Sequence, residues 1–182
     1  MYKLSRRIIA VFFSVLWGFT ASFCTSCTPK LQADELFHYR DRPVTARVNA
    51  ECNGVTSEFR YDGTGIDCRI EFTAPRELVG YSIELTENSG RITVDGMTAE
   101  APDPLCTVPK IMRAVFTLSP ESVSEIETAP HPKTTEETVT RVTADGVTVT
   151  LDKNGLPISA EGVLFGVKFN AEITEFTVNP QE

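Results

Sequence analysis

From Val44 onward, hydrophobic residues occupy every second position of the chain in one run after another. A period of two places these side chains on one face of a β-strand and the polar side chains on the other face. The first run is Val44–Cys52, and similar runs recur as far as Ile173. The pattern therefore predicts strands buried on one face, and it excludes parallel α/β folds, in which strands alternate with helices.

Asx-Gly pairs separate many of these runs, and such pairs tolerate the positive φ angles that two-residue hairpin turns need. Strands joined by such turns are antiparallel. The sequence thus predicts a mainly β fold, an antiparallel curved sheet or unclosed β-barrel of about eight or nine strands. The pairs are Asn53-Gly54, Asp62-Gly63, Asp95-Gly96, Asp145-Gly146 and Asn154-Gly155.

Helical spacing interrupts the strands in the middle of the chain. Between Asp103 and Leu118, hydrophobic residues recur every three or four positions, which predicts a helical insert. Ser119 as N-cap and Pro120 at the first helical position predict the start of a second helix. Residues 31–41 form a further short amphipathic pattern ahead of the first strand.

The N-terminus has the organisation of a secretory signal. Basic residues at Lys3, Arg6 and Arg7 precede a stretch from Ile8–Phe23 without charge, and small residues follow. It resembles a bacterial lipoprotein signal, in which a cysteine after a short stretch of small residues becomes the lipid-bearing first residue.

Cys27 is the predicted attachment site, because Ser26 and Thr25 precede it, whereas bulky Phe23 precedes the other candidate, Cys24. Release as a secreted protein stays open, as does an uncleaved anchor, since the 22 residues from Ile8 to Pro29 carry no charge and are enough to span a bilayer. All three alternatives place the remaining chain outside the cytoplasm.

The expected organisation has three parts: a signal peptide over residues 1–26, a tether with a short helix over 27–43, and one β domain over 44–178. The chain has 25 acidic and 17 basic residues, a net charge of −8. This balance argues against nucleic acid as a partner and against a polybasic membrane-binding patch, because both require clustered Lys and Arg.

The sequence contains no recognisable catalytic or metal-binding pattern. The two histidines, His38 and His131, are far apart in sequence, and no Gly-x-Ser-x-Gly motif occurs. Cys52, Cys68 and Cys106 have no Cys-x-x-Cys spacing and are interpreted as free, buried thiols. The sequence therefore predicts no catalytic residue, metal or cofactor, and it does not indicate a hydrolase.

The sheet presents more hydrophobic surface than the helices can cover. A sheet of that size has a face of roughly 40 by 20 Å, of which helices about 18 Å long and 10 Å wide cover less than half. The sheet can curl around the helices, fold onto itself, or leave a groove for a hydrophobic ligand. Nine residues are therefore candidates for core positions or for a cavity wall: Phe59, Tyr61, Phe72, Tyr81, Ile83, Met97, Met112, Phe165 and Phe169.

The order of elements resembles a known family. A short helix, an antiparallel meander, a helical insert, a hairpin with the segment Asn154-Gly155-Leu156-Pro157 and a long last strand follow one another. This order is similar to the LolA-like envelope lipoprotein superfamily, in particular to uncharacterised lipoproteins of Gram-positive bacteria. The resemblance, over residues 34–178, implies an unclosed barrel capped by helices and a cavity for lipid or acyl chains.

Two functions follow as expectations. The first is a non-enzymatic lipoprotein, anchored to the bacterial cell membrane by its lipidated N-terminal cysteine, that binds a hydrophobic ligand between sheet and helices as a carrier or sensor. The alternative is a fully packed β module that contacts another envelope protein and holds no small ligand.

Overall fold

The computed structural model describes residues 36–131, 133–134 and 137–180. The predicted signal peptide and the lipid-attachment residue Cys27 lie outside these residues. Of the predicted helix over 31–41, the described part is helical at Leu36 and continues as turns to Asp41. We refer to residues 36–42 as the N-terminal segment.

Eleven strands and one mid-chain helix make up the described chain. The helix, α1, is Thr107–Phe116, and Arg76–Leu78 and Pro120–Ser122 each form one turn of 3-10 helix. The strands are β1 (Val44–Cys52), β2 (Val55–Gly63), β3 (Cys68–Ala74), β4 (Tyr81–Leu85), β5 (Gly90–Val94), β6 (Met97–Glu100), β7 (Val123–Pro130), β8 (Thr138–Ala144), β9 (Val147–Leu151), β10 (Pro157–Leu164) and β11 (Val167–Val178).

All eleven strands belong to one antiparallel sheet, in the order β6-β5-β4-β3-β2-β1-β11-β10-β9-β8-β7. The predicted mainly β class and unclosed sheet are therefore confirmed: β6 and β7 form two separate edges. The chain leaves β6 at one edge and enters β7 at the other. Residues 101–122, which include α1, consequently cross the sheet, and α1 packs against β3 and β4.

The sheet has more strands than predicted because two of them, β6 and β7, lack a clear sequence signal. All residues of β6 are exposed, so this strand shows no alternation. The Ser119 hydroxyl does accept a hydrogen bond from the Glu121 N–H, at 3.3 Å, as an N-cap should. The predicted helix start is therefore confirmed as one turn of 3-10 helix, Pro120–Ser122, which ends there because the chain pairs with the edge of β8 from Val123 onward.

Three of the predicted Asx-Gly turns are confirmed. Asn53, Asp95 and Asp145 have φ angles of 50°, 49° and 50°, and each is followed by a glycine with positive φ. These turns join β1 to β2, β5 to β6 and β8 to β9.

The turn predicted at Asp62-Gly63 is wrong, because both residues belong to the end of β2. The loop between β2 and β3 is Thr64–Asp67, closed by a 2.9 Å hydrogen bond from the Thr64 N–H to the Asp67 carbonyl. Gly63 serves a different purpose: a Cβ there would lie 2.3 Å from the Tyr61 hydroxyl oxygen. The glycine lets the tyrosine side chain fold back over its own strand.

One core joins the inward face of the sheet to α1 and to the N-terminal segment. The predicted helical face is confirmed, since Ile111, Met112, Val115 and Phe116 are buried. From the N-terminal segment, Leu36, Phe37 and Tyr39 belong to the same core. Within the described chain, no helix combines the length and hydropathy needed to cross a membrane.

Candidate functional site

The structure separates the nine candidate residues into three groups. Tyr81 is half-buried and packs against the core, whereas Met97 and Phe165 are 74% and 64% exposed. The other six are buried core residues: Phe59, Tyr61, Phe72, Ile83, Met112 and Phe169.

Phe165 and Met97 do not point inward, and that part of the expectation is wrong. Phe165 has a φ of 53° and forms, with Gly166, the turn between β10 and β11. The alternating residues Val163, Phe165 and Val167 were interpreted as one continuous strand because no Asx-Gly pair marks this turn. Met97 begins the exposed edge strand β6.

A β-bulge near the end of β11 brings a further aromatic residue to the inward face. Ala171 and Ile173 point inward, but Glu175 has a φ of 53° and the register with β1 shifts there. One extra residue reverses the phase of the alternation. Phe176 therefore faces the core, although it has the opposite parity to Ile173.

Five aromatic side chains form a continuous series of ring contacts, which we call the aromatic cluster. Its members come from four parts of the chain: the N-terminal segment, β11, α1 and β2. Neighbouring ring centroids lie 6.2, 5.2, 5.4 and 4.7 Å apart. In order, the members are Phe37, Tyr39, Phe176, Phe116 and Tyr61.

Of these five residues, only Tyr61 was a sequence candidate. Phe176 was missed because of the bulge, although the pair Phe176 and Val178 shows the changed parity. Tyr39 and Phe37 were placed in a short amphipathic helix without an assigned partner. Phe116 was predicted to lie on the helix, but the sequence alone does not show which strands the helix packs against.

The hydroxyl group of Tyr39 is the unusual polar atom of the cluster. The residue is 1% exposed, and its hydroxyl has no hydrogen-bond partner within the part of the chain that the structure describes. Burial raises the pKa of Tyr39 well above its ordinary value. A buried, unpaired hydroxyl costs about 1–3 kcal/mol of stability. The atom therefore marks a position where a polar group of a ligand would be stabilised.

Tyr61 gives the contrasting case, because its hydroxyl pairs with the thiol of Cys68. Burial raises the pKa of Tyr61 above its ordinary range and raises the pKa of Cys68 to about 11. The Cys68 thiol also lies 3.8 Å from the Pro109 carbonyl oxygen of α1. This end of the cluster is thus satisfied by protein groups alone.

The remaining residues that could take part in catalysis or metal binding are the two histidines and Cys52. The His38 ring lies 5.8 Å from the Tyr39 ring, and His131 Nδ1 accepts hydrogen bonds from the Lys133 and Thr134 N–H groups. Cys52 is a half-buried free thiol. Among residues 36–131, 133–134 and 137–180, no group of three or more His, Cys, Asp or Glu side chains could hold a metal ion.

No family model and no curated protein matches the chain. Among solved structures, the chain resembles an uncharacterized conserved protein from Thermus thermophilus, with a TM-score of 0.51 and 15% identity over 82% of this chain and 86% of that chain. It resembles the lipoprotein LppX of Mycobacterium tuberculosis, with a TM-score of 0.50 and 9% identity over 85% and 98%. A weaker similarity, with a TM-score of 0.38 and 8% identity over 84% and 96%, is to a LolA superfamily protein from Nitrosomonas europaea.

At these identities the comparisons concern the fold and not the ligand. The first two comparisons agree with an open antiparallel sheet that is crossed by the segment carrying the helix. The chain therefore shares its fold with the Thermus thermophilus protein and with LppX, as the LolA-like order of its elements predicts.

Proposed function

We propose that this chain is a non-enzymatic lipoprotein of the bacterial cell envelope that binds a hydrophobic ligand, a lipid or an acyl chain, as a carrier or sensor. The ligand lies at the aromatic cluster, between the sheet and the two segments that cover it, α1 and the N-terminal segment. Burial of hydrophobic surface supplies roughly 25 cal/mol per Å², so a moderate contact area gives modest, reversible affinity.

The observation that carries this proposal is the Tyr39 hydroxyl. It is buried among aromatic rings without a partner in the described chain. A ligand with one polar atom, such as an ester or a head-group oxygen, would accept its hydrogen bond, while the ligand's hydrocarbon part contacts the rings. Phe176, which is only half-buried, gives such a ligand a point of entry.

Analysis of co-purified molecules tests the proposal. The full-length chain is isolated in a mild non-ionic detergent, extracted with organic solvent, and its extract is analysed by mass spectrometry. We expect one hydrophobic molecule per chain in addition to any N-terminal acyl groups. Tyr39→Phe should reduce the yield of this molecule several-fold.

Two phenylalanines of the β10–β11 hairpin provide a matched pair of variants. Phe176→Asp places a charge in the aromatic cluster and should abolish the bound molecule. Phe165→Asp places the same charge at an exposed turn and should leave the yield unchanged. Equal yields from both variants would contradict the proposed site.

The proposal includes a lipid on Cys27 that anchors the chain to the outer face of the cell membrane. The spacing of the N-terminal charges, hydrophobic stretch and small residues supports it. Mass spectrometry of the mature N-terminus tests it, because a diacylglyceryl group on this cysteine has a distinctive mass. A mature chain that begins unmodified after residue 22 or 26 would indicate secretion instead.

A second candidate is an interaction module that binds another envelope protein. Six of the sequence candidates are buried in the core, which favours this candidate. The rings of Phe59 and Phe72, for example, already pack against each other, with their centroids 5.9 Å apart. The unpaired edges of β6 and β7 offer backbone groups to a partner strand. The absence of any hydrophobic molecule from the extract would favour this candidate.

A further inference from the structure

Arg113, on the last turn of α1, is held in a defined position by two loops. Its Nη1 group donates to the Ile66 carbonyl at 2.9 Å and to the Thr86 carbonyl at 3.3 Å. These carbonyls belong to the β2–β3 loop and the β4–β5 loop. The guanidinium is therefore fixed where both loops meet the helix.

The guanidinium has unused hydrogen-bonding capacity. Both bonds come from Nη1, so Nε and Nη2 have no hydrogen-bond acceptor within the described residues. Arg113 also forms no ion pair with a carboxylate of the described chain. Lys110, one turn earlier on the helix, differs in this respect, because its Nζ pairs with Asp103 at 3.0 Å.

Arg113 faces a surface cleft of about 580 Å³. A second arginine, Arg40, lines the same cleft, and its Nε lies 4.0 Å from Asp41. Glu87 is the other carboxylate at the rim.

Two residues that line the cleft are direct chain neighbours of members of the aromatic cluster, because Arg40 follows Tyr39 and Thr117 follows Phe116. Arg113 precedes Phe116 by one turn of α1, and Phe116 contacts Tyr61 at 4.7 Å between ring centroids. Burial raises the pKa of Cys68, and the nearby charge of Arg113 opposes that rise. A ligand whose hydrocarbon part reaches the aromatic cluster could thus place its polar end beside the guanidinium.

We propose that Arg113, with Arg40 in the same cleft, binds the anionic head of an amphiphilic ligand. The head is a carboxylate or a phosphate, because the planar guanidinium matches both with paired N–H donors. This inference rests on the proposed function and adds to it the charge class of the ligand. It also gives the free N–H groups of Arg113 a partner in a chain that is otherwise acidic.

Photoaffinity labelling with three matched probes tests the inference. The full-length chain is inserted into nanodiscs of phosphatidylcholine, whose head group has no net charge. The probes carry the same diazirine on the hydrocarbon chain: a fatty acid, a phosphatidic acid and a fatty acid methyl ester. Half-saturating concentrations are measured by mass spectrometry of the labelled protein.

We expect the unmodified chain to bind one anionic probe about tenfold more tightly than the methyl ester, as a charge-assisted pair should. The preferred probe identifies the head as carboxylate or phosphate. Arg113→Gln should remove this preference while labelling by the ester stays unchanged. Arg113→Lys should retain part of it, and Arg40→Gln should weaken it by a smaller factor.

Arg91→Gln is the matched control, because it removes the same charge from an exposed position on β5 and should leave all three probes unaffected. Equal affinity of the unmodified chain for anionic and neutral probes would overturn the anionic head but leave the proposed function intact. Equal losses for all probes in Arg113→Gln would assign the arginine a purely structural role and would also overturn the inference. If none of the probes labels the unmodified chain, the proposed function itself fails.

Discussion

At the scale of single residues, Tyr39 is a side chain whose polarity and environment disagree. Its ring packs 5.2 Å from the Phe176 ring, as a core aromatic should, while its hydroxyl lacks a partner in the described chain. A phenylalanine would make the same ring contacts without the unpaired oxygen. Stability alone does not explain the hydroxyl, whereas the proposed contact with a ligand would.

The variant Tyr39→Phe should therefore stabilise the ligand-free chain. We expect the free energy of unfolding to rise by about 1 kcal/mol, because the buried hydroxyl no longer loses its hydration. Urea denaturation of the delipidated chain measures the change. Tyr61→Phe is the control and should cost about 1 kcal/mol, since its hydroxyl is paired with Cys68. A less stable Tyr39→Phe variant would mean that the hydroxyl has a protein or water partner.

Gly63 is the second residue whose identity follows from a single contact. An added Cβ would meet three atoms of the Tyr61 side chain within 2.6 Å, and this ring is buried against Phe116. We expect Gly63→Ala to lower the free energy of unfolding by about 1–3 kcal/mol, as overpacking does. In a Tyr61→Ala background the same substitution should cost much less. Additive costs in the denaturation of both variants would refute this explanation.

At the scale of elements, the β10–β11 hairpin combines an unfavourable turn residue with an exposed aromatic side chain. Phe165 has a positive φ that glycine, asparagine and aspartate tolerate better. Phe165→Asn would create, together with Gly166, the kind of Asx-Gly pair that forms the turns at Asn53, Asp95 and Asp145. We expect it to raise the free energy of unfolding by about 0.5–1 kcal/mol in chemical denaturation. Binding of the hydrophobic ligand should not change, and a loss of binding would show that the turn contributes to the site.

The same hairpin shows which elements the sequence can predict and which it cannot. Alternation and Asx-Gly pairs were sufficient for β1 and for the turns at Asn53, Asp95 and Asp145, because burial on one face and positive φ each leave a direct sequence signal. The turn at Phe165 was missed because it uses a residue that does not favour positive φ. The bulge at Glu175 was missed because its sequence signal, the changed parity of Phe176 and Val178, covers only two residues, whereas the pairing with β1 shows it directly.

The sequence predicts that inward-facing aromatic residues form the candidate site, but it identifies only some of these residues. The inward aromatic residues of β2 and β3 follow from alternation, as for Tyr61. Phe176 and Tyr39 do not, because one depends on the bulge and the other on the position of the N-terminal segment over the sheet. Arg113 gives no sequence signal at all, since its lack of a carboxylate partner is a property of the folded chain.

At the scale of the whole molecule, the path of the chain explains why the site lies where it does. The first and last strands along the chain, β1 and β11, pair with each other at the centre of the sheet. The two edge strands, β6 and β7, do not pair with each other, so the sheet is open. The segment that links the two edges must cross the sheet, which places Phe116 over the central strands. The N-terminal segment leads directly into β1, so Tyr39 reaches the neighbouring part of the same face. The N-terminal segment, through Tyr39, and α1, through Phe116, both contact Phe176. The aromatic cluster therefore joins distant parts of the chain.

The core as a whole contains acidic groups that stay protonated in the folded state, which makes the stability sensitive to alkaline pH. Burial raises the pKa of Cys68 to about 11 and raises the pKa values of Tyr39 and Tyr61 above their ordinary range. In the unfolded chain these groups ionise near their ordinary pKa values, which are 9.0 for the cysteine and 10.0 for the two tyrosines. The unfolded state then binds fewer protons, so rising pH favours unfolding.

We expect the contribution of these groups to be fully present below pH 9 and to decrease above it, first through Cys68 and above pH 10 through the two tyrosines. Each group adds a slope that approaches about 1.4 kcal/mol per pH unit while only the unfolded chain is ionised. Urea denaturation between pH 7 and pH 11 measures the slope. Cys68→Ala should flatten it from pH 9 upward, whereas Tyr39→Phe should flatten it only above pH 10. A slope that Tyr39→Phe leaves unchanged would mean that this phenol ionises equally in both states, which its burial in the aromatic cluster does not permit.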